Sequence, residues 1–471
     1  MILSIDLGTT NWKAALITPA GDMTALASIP TPMAQEDGHP CYDPQAMPAH
    51  LTTLLSRLPQ ADLARVGRIA LTGMAEAGLL LDRADMTPLS MIWPWFDRRA
   101  LPLFEAVKDQ PPYAGREGVT GLPNGFKYGI YKLMTLLRLK PRPAGSFLWC
   151  GLVAYAALLL TGQCAEDPTL AARTACLDVQ RGCWDENFLA ALGLDATALP
   201  RLTPSGAPMG VTLPHRFGLP EGVPVCISGH DHVCAAHAVG ALEGGQCFLS
   251  TGTAQVMLRT APYTESASGL SYGPSPAGQP FTCLGSIQSA GGSINYWRKL
   301  LFPGEGYDVL MAEAAAAEPS ALTYFPYLAG RGAPCLDPHA RGALLGLSES
   351  ATRGQIIAAV YEGVAMETRF VLEHMGFRGD VAAICLGGLT RHEGYMQALA
   401  DVIGADVTVP AADEGTLYGA ARLACASLPP LRASRRYQPD EARHRRLTER
   451  YQQRYLPLTN LMHTEESPWT D

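Results

Sequence analysis

The chain has 471 residues, of which 47% are hydrophobic and only 17% charged, and its formal net charge is −8. This composition predicts a folded protein of several domains and excludes a largely disordered chain, which needs fewer apolar residues and more charge. The acidic balance also argues against a nucleic-acid-binding surface. The basic residues at 435–436 and 443–446 are typical of a solvated helix face.

Twelve cysteines are scattered along the chain without a Cys-x-x-Cys pair, mostly within apolar runs. This spacing indicates reduced, buried thiols, and neither a disulfide framework nor a zinc site. No basic leader precedes the apolar pattern that starts at Ile2, and the longest apolar run, 152–160, is well short of the ~20 residues that span a bilayer. We therefore expect a cytoplasmic protein without a membrane segment.

The first half of the chain opens as a meander of three strands. Strands are predicted at 2–5, 13–17 and 23–29, with short strands following at 66–71 and 78–81. Helices are predicted at 45–58, 128–139 and 148–160, where prolines and helical spacing set their ends. Strands followed by helices indicate an α/β fold.

The second half begins with a loop at 205–224, a buried strand at 225–228 and a small-residue helix at 232–239. A second meander, with strands at 246–250 and 254–258 around a Gly-Thr turn, resembles the first and suggests two related domains with a boundary near residue 240. The remaining predicted elements are helices at 350–377, 394–404, 416–428 and 440–455, and strands at 381–386 and 407–409.

The first candidate site is the turn Asp6-Leu7-Gly8-Thr9-Thr10. Glycine lets the backbone approach a phosphate, and successive N–H groups in a tight turn form an anion-binding concavity. A carboxylate such as Asp6 can hold Mg²⁺ through water. An ordinary hairpin turn explains the same residues, so both interpretations stay open on these residues alone.

A second candidate is Ser228-Gly229-His230-Asp231-His232, between a buried strand and a helix. Asp231 is either a helix N-cap or a general base at the end of a strand. The flanking histidines do not give a standard zinc spacing. Three further glycine turns, Thr251-Gly252-Thr253, Gly291-Gly292 and Gly387-Gly388, also follow or join apolar segments.

Aromatic and acidic residues between the first two turns form the third candidate. In the segment from Trp93 to Arg99, aromatic rings stand beside charges. This is typical of a sugar site, although a capped aromatic core explains it equally well. Glu76 stands alone among apolar neighbours. It is either a turn residue or a buried acid that needs a partner.

Taken in order, these segments resemble the FGGY carbohydrate kinase family, which includes glycerol kinase and xylulokinase. The resemblance runs from Met1 to about Cys425. It is carried by the following segments in sequence: Ile5 to Thr10, Trp95-x-Asp97-x-Arg99, Gly229-x-Asp231, Ser250 to Thr253, Tyr327 to Gly330, Ala340 to Ala343 with Gly346-Leu347, Glu362 to Ala365, Gly387-Gly388 with Gln397-x-x-Ala400-Asp401, and Gly419 to Ala421. Each motif alone is unspecific, but the ordered set is strong.

The resemblance implies an α/β fold of two actin-like (RNase H-like) domains with a hinged cleft between them. Residues 1–240 would form the sugar-binding and catalytic-base domain, 241–425 the ATP-binding domain, and 426–471 a helical tail packed on the body. The implied reaction is ATP-dependent phosphorylation of a hydroxyl of a small sugar or polyol. ATP and Mg²⁺ would be required, and neither nucleic acid nor membrane would be a partner. Neither the residues nor the resemblance decides between a monomer and a homodimer.

The resemblance also assigns individual roles. Asp231 would be the catalytic base, and Asp6 with Asp231 would place Mg²⁺. Glu76, Trp95, Asp97 and Asp231 would lie near the sugar. The implied nucleotide contacts are Thr9, Thr10, Lys13, Gly252, Thr253, Gly291, Gly292, Gly388 and His392.

Several segments depart from the family pattern. Met74-Ala75-Glu76-Ala77 replaces the Gln-Met-His-Gly of xylulokinase-like members and matches the Gln-Arg-Glu of glycerol kinase-like members only at Glu76. The adenosine segment continues as Leu389-Thr390-Arg391-His392 instead of Gly-Ala-Arg-Ser. These departures leave the identity of the sugar undetermined.

Two other hypotheses come from different classes. A non-catalytic sugar or nucleotide sensor on the same fold would account for the altered sugar segment, but a sensor has no need for Asp231. An actin- or chaperone-like ATPase would have no use for the pocket around Trp95 and Asp97.

Overall fold

The computed structural model describes residues 1–263, 269–276, 278–412 and 414–461. The chain forms two compact units. The first unit contains Met1–Ala238, Tyr272–Phe281 and Glu414–Pro430, and the second contains Val239–Ser271, Thr282–Asp413 and Leu431–Asp471.

The strands in chain order are β1 (Ile2–Leu7), β2 (Asn11–Ile17), β3 (Met23–Pro30), β4 (Ala34–Glu36), β5 (His39–Cys41), β6 (Arg68–Gly73), β7 (Gly78–Asp82), β8 (Phe147–Gly151), β9 (Ala165–Glu166), β10 (Leu177–Asp178), β11 (Cys183–Trp184), β12 (Arg201–Leu202), β13 (Pro208–Val211), β14 (Pro224–His230), β15 (Cys247–Thr251), β16 (Gln255–Ala261), β17 (Ser271–Ser275), β18 (Gly278–Ile287), β19 (Thr323–Phe325), β20 (Ala343–Leu345), β21 (Ala383–Leu386), β22 (Val407–Pro410) and β23 (Ala433–Tyr437).

The helices in chain order are α1 (Met47–Ser56), α2 (Gln60–Leu63), α3 (Leu101–Val107), α4 (Glu117–Thr120), α5 (Gly129–Leu139), α6 (Leu152–Thr161), α7 (Pro168–Ala171), α8 (Glu186–Ala191), α9 (Asp231–Ala238), α10 (Ala241–Gly244), α11 (Gly291–Leu301), α12 (Tyr307–Ala316), α13 (Arg353–His374), α14 (Glu393–Ile403), α15 (Gly415–Ala424), α16 (Glu441–Arg450) and α17 (Leu456–Leu461). Short 3₁₀ turns lie at Ala172–Thr174, Ala196–Ala198 and Gly388–Arg391, and a π-helical turn at Tyr451–Tyr455 joins α16 to α17.

The first unit is built on a six-stranded sheet with the order β13-β14-β6-β1-β2-β3. The strand β1 pairs antiparallel with β2 and parallel with β6, and β6 pairs parallel with β14. In register, Leu7 lies beside Gly73, and Gly73 beside His230. The carboxyl ends of the three parallel strands therefore meet at one edge of the sheet, where open α/β sheets place their ligands.

Helices cover both faces of this sheet, which explains why its central strands are apolar on both sides. The helix α6 packs on β6 and β14, and α15 packs on β1, β6 and β14. The hydroxyls of Ser4 and Ser228 donate to the carbonyls of Leu417 and Ala420 in α15, at 2.7 and 2.8 Å. At Gly419 a Cβ would lie 1.7 Å from the carbonyl oxygen of Cys234, so only glycine lets α15 lie this close to α9.

The second sheet has the order β17-β18-β16-β15-β21-β22-β23. Its central strand β15 pairs antiparallel with β16 and parallel with β21, β21 pairs parallel with β22, and β22 pairs antiparallel with β23. The first sheet has the same succession of pairings through β2, β1, β6, β14 and β13. The predicted resemblance of the two meanders is confirmed at the level of topology.

Most predicted elements are present within a few residues of their predicted ends. Two predictions were wrong in part. The apolar stretch 148–160 was expected to be one helix, but β8 occupies its start, pairs antiparallel with β7 and turns at Gly151 into α6. The predicted loop 205–224 contains β13, which pairs with β14 at the edge of the sheet.

The cysteine and membrane predictions can be checked directly. All twelve cysteines are free. Within the part of the chain that the structure describes, no helix is both long and apolar enough to span a bilayer.

Candidate active site

Two carboxylates lie at the ligand-binding edge of the first sheet. Asp6 is near the end of β1, and Asp231 begins α9 directly after β14. The Oδ1 atom of Asp6 is buried without a hydrogen-bond partner. Burial and the negative charge of Asp231 raise the pKa of Asp6 to about 8, although Lys13 opposes the shift. The charge of Asp231 is therefore close enough to disfavour the ionisation of Asp6.

Asp231 keeps part of its surface open, with 26% of its side chain exposed. Its Oδ1 accepts the backbone N–H of His232 at 2.6 Å and lies 3.2 Å from Nε2 of His230. Burial lowers the pKa of His230 to about 4 in spite of Asp231, so this imidazole is neutral at pH 7. Metal-ligating atoms of His230, Asp231 and His232 lie within 4.8 Å of one another.

The chain before Asp231 is held by a small polar network. Gly229 has φ +124°, and a Cβ there would lie 2.6 Å from Oγ1 of Thr169. That same Oγ1 accepts the backbone N–H of His230 at 2.8 Å and is itself bound to the carboxylate of Asp167. The Thr72 hydroxyl donates to the Gly229 carbonyl at 2.7 Å. Together these contacts fix the direction in which Asp231 leaves the sheet.

The first Gly-Thr turn follows β1, and both Thr9 and Thr10 are exposed. The hydroxyl of Thr31 donates to the carbonyl of Gly8 at 2.7 Å. The Thr9 hydroxyl accepts the indole N–H of Trp95 at 3.1 Å. Two segments that the sequence assigned to phosphate and to sugar are thus in direct contact.

Lys13, predicted to contact nucleotide, lies on β2 beside Asp6 in register. Its ammonium group donates to both carboxylate oxygens of Glu414, at 2.8 and 2.9 Å. Lys13 therefore forms an ion pair with Glu414, a residue that the sequence did not mark as a candidate.

Glu76 is a buried acid with cationic partners. It follows β6 and has φ +56°, and the guanidinium of Arg173 donates to its Oε1 through Nε at 2.9 Å and through Nη2. The ammonium of Lys127 lies 3.6 Å from the same oxygen. Burial alone would raise the pKa of Glu76, but the charges of Arg173, Lys127 and His230 outweigh it and lower the pKa to about 2.

The two residues of the aromatic segment are in different surroundings. Trp95 has 41% of its surface exposed, whereas Asp97 is 1% exposed. Both Asp97 carboxylate oxygens accept from the guanidinium of Arg99, which also donates to Glu36 and stacks 3.9 Å from the ring centre of Trp93. Asp97 thereby stabilises the loop that carries Trp95.

In the second unit, the turn Gly252-Thr253 follows β15 and meets the start of α11. The backbone N–H groups of Gly291 and Gly292 donate to the carbonyls of Gly252 and Thr253, at 3.1 and 3.0 Å. A Cβ on Gly291 would lie 2.5 Å from the Gly252 oxygen, so glycine is what lets the two turns touch.

The end of β21 lies beside the same turn. The hydroxyl of Thr251 donates to the carbonyl of Leu386 at 2.9 Å. Gly387 has φ +110°, and a Cβ there would lie 2.6 Å from the Thr251 carbonyl oxygen. Gly388 is exposed, and a Cβ there would meet nothing within 4 Å. The three predicted glycine turns of this unit thus adjoin one another.

His392 is buried at the end of the 3₁₀ turn after β21. Its Nδ1 lies 3.1 Å from the hydroxyl of Tyr361, and the ring of Tyr307 packs edge-on at 4.8 Å between centres. Burial lowers its pKa. The result is a neutral ring in an aromatic setting, close in sequence to Gly388.

Sequence reasoning missed the cations that surround Glu76. Arg173 stands alone among small apolar residues at 170–175, the same signal that drew attention to Glu76. Nothing near Lys127 or Thr169 marks them out, because their partners lie far away along the chain and only the fold brings them together.

Comparison with known proteins identifies the family of the chain. The model of the N-terminal domain of the FGGY family of carbohydrate kinases matches residues 1–238, and that of the C-terminal domain matches 247–428. A glycerol kinase of Thermus brockianus is 29% identical over 446 residues, covering 89% of this chain and 88% of the relative. A glycerol kinase of Gloeobacter violaceus is 30% identical, covering 89% and 86%.

Solved structures confirm the fold. The structure of a xylulose kinase from Lactobacillus acidophilus superposes with a TM-score of 0.88 at 21% identity, covering 100% of this chain and 99% of that one. The prediction of an α/β protein with two actin-like domains is thereby confirmed. The chain belongs to the FGGY family of carbohydrate kinases, which use ATP to phosphorylate a sugar or polyol.

Proposed function

We propose that Asp231 is the general base of this carbohydrate kinase. A sugar hydroxyl is a weak nucleophile at neutral pH, and a carboxylate within hydrogen-bond reach can accept its proton as it attacks the phosphoryl group. Asp231 supports this role because its side chain is partly exposed and its backbone is held by the network around Thr169. The neutral ring of His230 beside it adds no competing positive charge.

We further propose that Asp6 and Asp231 are the residues that hold Mg²⁺. The donor set fits, because Mg²⁺ prefers carboxylate and water oxygens, and Oδ1 of Asp6 is a buried acceptor without a partner. When bound, Mg²⁺ neutralises phosphate charge. The close pair of acids, which burial makes unfavourable, is what a divalent cation would stabilise.

The nucleotide contacts are proposed in two groups. In the first unit Thr9 and Thr10 offer exposed hydroxyls for phosphate oxygens, with Lys13 nearby on β2. In the second unit the proposed contacts are Gly252, Thr253, Gly291, Gly292, Gly388 and His392, which the adjoining glycine turns bring together. The open surface at Gly388 and the aromatic surroundings of His392 support an adenosine contact there.

The sugar is proposed to lie near Glu76 and Trp95 in the first unit. Trp95 offers an exposed apolar face, and Glu76 a fixed carboxylate that can accept hydrogen bonds from hydroxyls. Asp97 acts on this site by holding Arg99 and the Trp95 loop. Residues 1–240 are proposed as the sugar and base domain, 241–425 as the ATP domain, and 426–471 as the tail, of which 462–471 lie outside the described residues. Two segments of 241–471, Tyr272–Phe281 and Glu414–Pro430, belong to the first compact unit.

The observation that carries the proposal is the meeting of Asp6 and Asp231 at the edge of the first sheet, with Glu76 close enough to His230 and Arg173 to influence both. The test is ADP release by the purified chain with Mg-ATP and a panel of ketoses, polyols, aldonates and deoxy sugars. We expect at least one compound to stimulate ADP release strongly. ATP hydrolysis that no compound in the panel changes would contradict the proposal.

A further inference from the structure

The cluster around Glu76 has more positive than negative charge. Two cations, Arg173 and Lys127, approach the single Oε1 atom of Glu76. Arg173 is buried, and its guanidinium donates two hydrogen bonds to that oxygen. Lys127 lies 3.6 Å away, beyond good hydrogen-bond distance, and 41% of its side chain is exposed. The Lys127 ammonium is thus a second positive charge beside the Glu76 carboxylate, whose negative charge Arg173 already balances.

This arrangement is fixed by a third cation. The ammonium of Lys132 is fully buried and donates to the carbonyl of Glu76 at 2.8 Å and to the carbonyl of Lys127. It joins the loop after β6 to the residues before α5. Burial lowers the pKa of Lys132 to about 7. When Lys132 is protonated, its positive charge adds to those of Lys127 and Arg173 and cancels neither of them.

The other ionisable groups nearby do not remove this balance. Asp97, which faces Lys132, is already paired with Arg99. Asp231 faces Arg173, but its proposed roles lie with the reacting hydroxyl and Mg²⁺. An unmatched charge in a partly buried site is costly unless a ligand pairs with it.

We propose that the substrate is an anionic sugar, a polyhydroxy carboxylate, whose carboxylate pairs with Lys127 and Arg173 while a hydroxyl farther along its chain faces Asp231. The positive charge of Lys127 matches the single negative charge of a monocarboxylate. Glu76 then orients Arg173 and accepts from a neighbouring substrate hydroxyl. This inference rests on the proposed kinase function and names the substrate class within it.

The test compares acids with neutral polyols of the same carbon number: threonate with threitol, xylonate with xylitol and gluconate with glucitol. ADP release with Mg-ATP gives kcat/KM for each member of a pair. We expect the acid of at least one pair to exceed its polyol by about 100-fold, as expected for a charged hydrogen bond. Preference for the neutral member in every pair would overturn the inference and leave the kinase function standing.

Three variants sharpen the comparison. Lys127→Met should lower the acid-to-polyol ratio of kcat/KM about 10- to 100-fold, whereas Lys127→Arg should retain most of it. The matched control is Lys140→Met, because Lys140 is exposed at the opposite end of α5 and should leave the ratio unchanged. Equal loss for acid and polyol in Lys127→Met would contradict a carboxylate contact.

Binding without turnover separates the two proposals. In Asp231→Asn, calorimetry should still detect the preferred acid although phosphoryl transfer is lost. If no compound in the panel supports ADP release, the kinase proposal fails, and calorimetry on the wild-type chain still decides the inference. Acid binding that Lys127→Met weakens supports it, and binding of neither acid nor polyol contradicts it.

Discussion

At the scale of single residues, Asp6 shows that the placement of a site residue can lower the stability of the fold. Its buried Oδ1 has no partner, and burial together with Asp231 raises its pKa from 3.8 to about 8. A carboxyl whose pKa is raised on folding stabilises the fold fully below the unfolded value, and this stability is lost as the pH rises through the folded value. Without Mg²⁺, the contribution of Asp6 should therefore decline between about pH 4 and pH 8.

The first prediction is that Asp6→Asn stabilises the Mg-free protein at high pH. An amide does not ionise, so the variant should be more stable than wild type by about 5 kcal/mol near pH 8 and by much less near pH 5. Thermal unfolding at both pH values with a chelator measures this. Added Mg²⁺ should raise the Tm of the wild type more than that of the variant, and a pH-independent difference would contradict the assigned cause.

The second prediction concerns Thr169, which sequence reasoning missed. Thr169→Val keeps the shape but removes the oxygen that accepts the N–H of His230, so a buried donor next to Asp231 loses its partner. We expect a loss of about 1–3 kcal/mol and a fall in kcat of roughly 10-fold, because the base is no longer held in place.

Thr161→Val is the control for Thr169→Val. Thr161 is also buried and hydrogen-bonded, but at the far end of α6. Its variant should lose stability and keep kcat. If the two variants affect kcat equally, Thr169 does not position the base.

Residue roles were only partly accessible from the sequence. The isolation of Glu76 among apolar residues left open whether it is a turn residue or a buried acid in need of a partner. The structure shows a buried acid whose partner, Arg173, is 97 residues away. The family resemblance placed Asp97 near the sugar, and the ion pair of its carboxylate with Arg99 was not predicted. The pairing of Glu76 with Arg173 depends on a tertiary contact that local pattern does not encode.

At the scale of elements, the long helix α13 is the anchor of the C-terminal segment. Glu367 is buried within it and accepts from the hydroxyls of Tyr327 and Tyr455 at 2.9 and 2.6 Å and from Nε of Arg331 at 3.3 Å. Tyr455 lies in the π-helical turn after α16. A buried carboxylate with several donors ties the end of the described chain to the second unit.

The third prediction is that Tyr455→Phe destabilises the second unit. The change removes one donor from a buried charge, and we expect a loss of about 1–3 kcal/mol in the free energy of unfolding. Urea denaturation measures it. Tyr437→Phe is the control, because Tyr437 is only partly buried and its hydroxyl contact with Arg435 is long, at 3.4 Å. Equal effects of the two changes would contradict the role of the Glu367 network.

Elements with clear start and stop signals in the sequence were predicted well, and elements without such signals were not. The helix α13 starts at a capping box between Thr352 and Gln355, close to its predicted start. The stretch across Gly151 is apolar throughout, so a strand passing into a helix there has no change of period to reveal it. Its strand character comes from pairing with β7, which is a tertiary contact.

At the scale of the whole molecule, the fold followed from the order of weak motifs. No single turn distinguished a kinase from an ordinary hairpin protein, but the ordered set indicated a carbohydrate kinase with two actin-like domains. The family matches over 1–238 and 247–428 confirm the family, and the likeness to a xylulose kinase structure confirms the fold. The substrate is not encoded in that order. It depends on a few side chains, such as Lys127 and Arg173, that the fold assembles from separate segments.

The most direct test of the central claim is the rate of phosphoryl transfer by Asp231→Asn. Asparagine preserves the size of the side chain and an oxygen for the N–H of His232, but it cannot accept the substrate proton. With the best substrate from the panel, we predict that kcat falls by about 10²- to 10⁴-fold or more, with the Tm and ATP binding retained. Turnover equal to wild type in a folded Asp231→Asn protein would contradict the account.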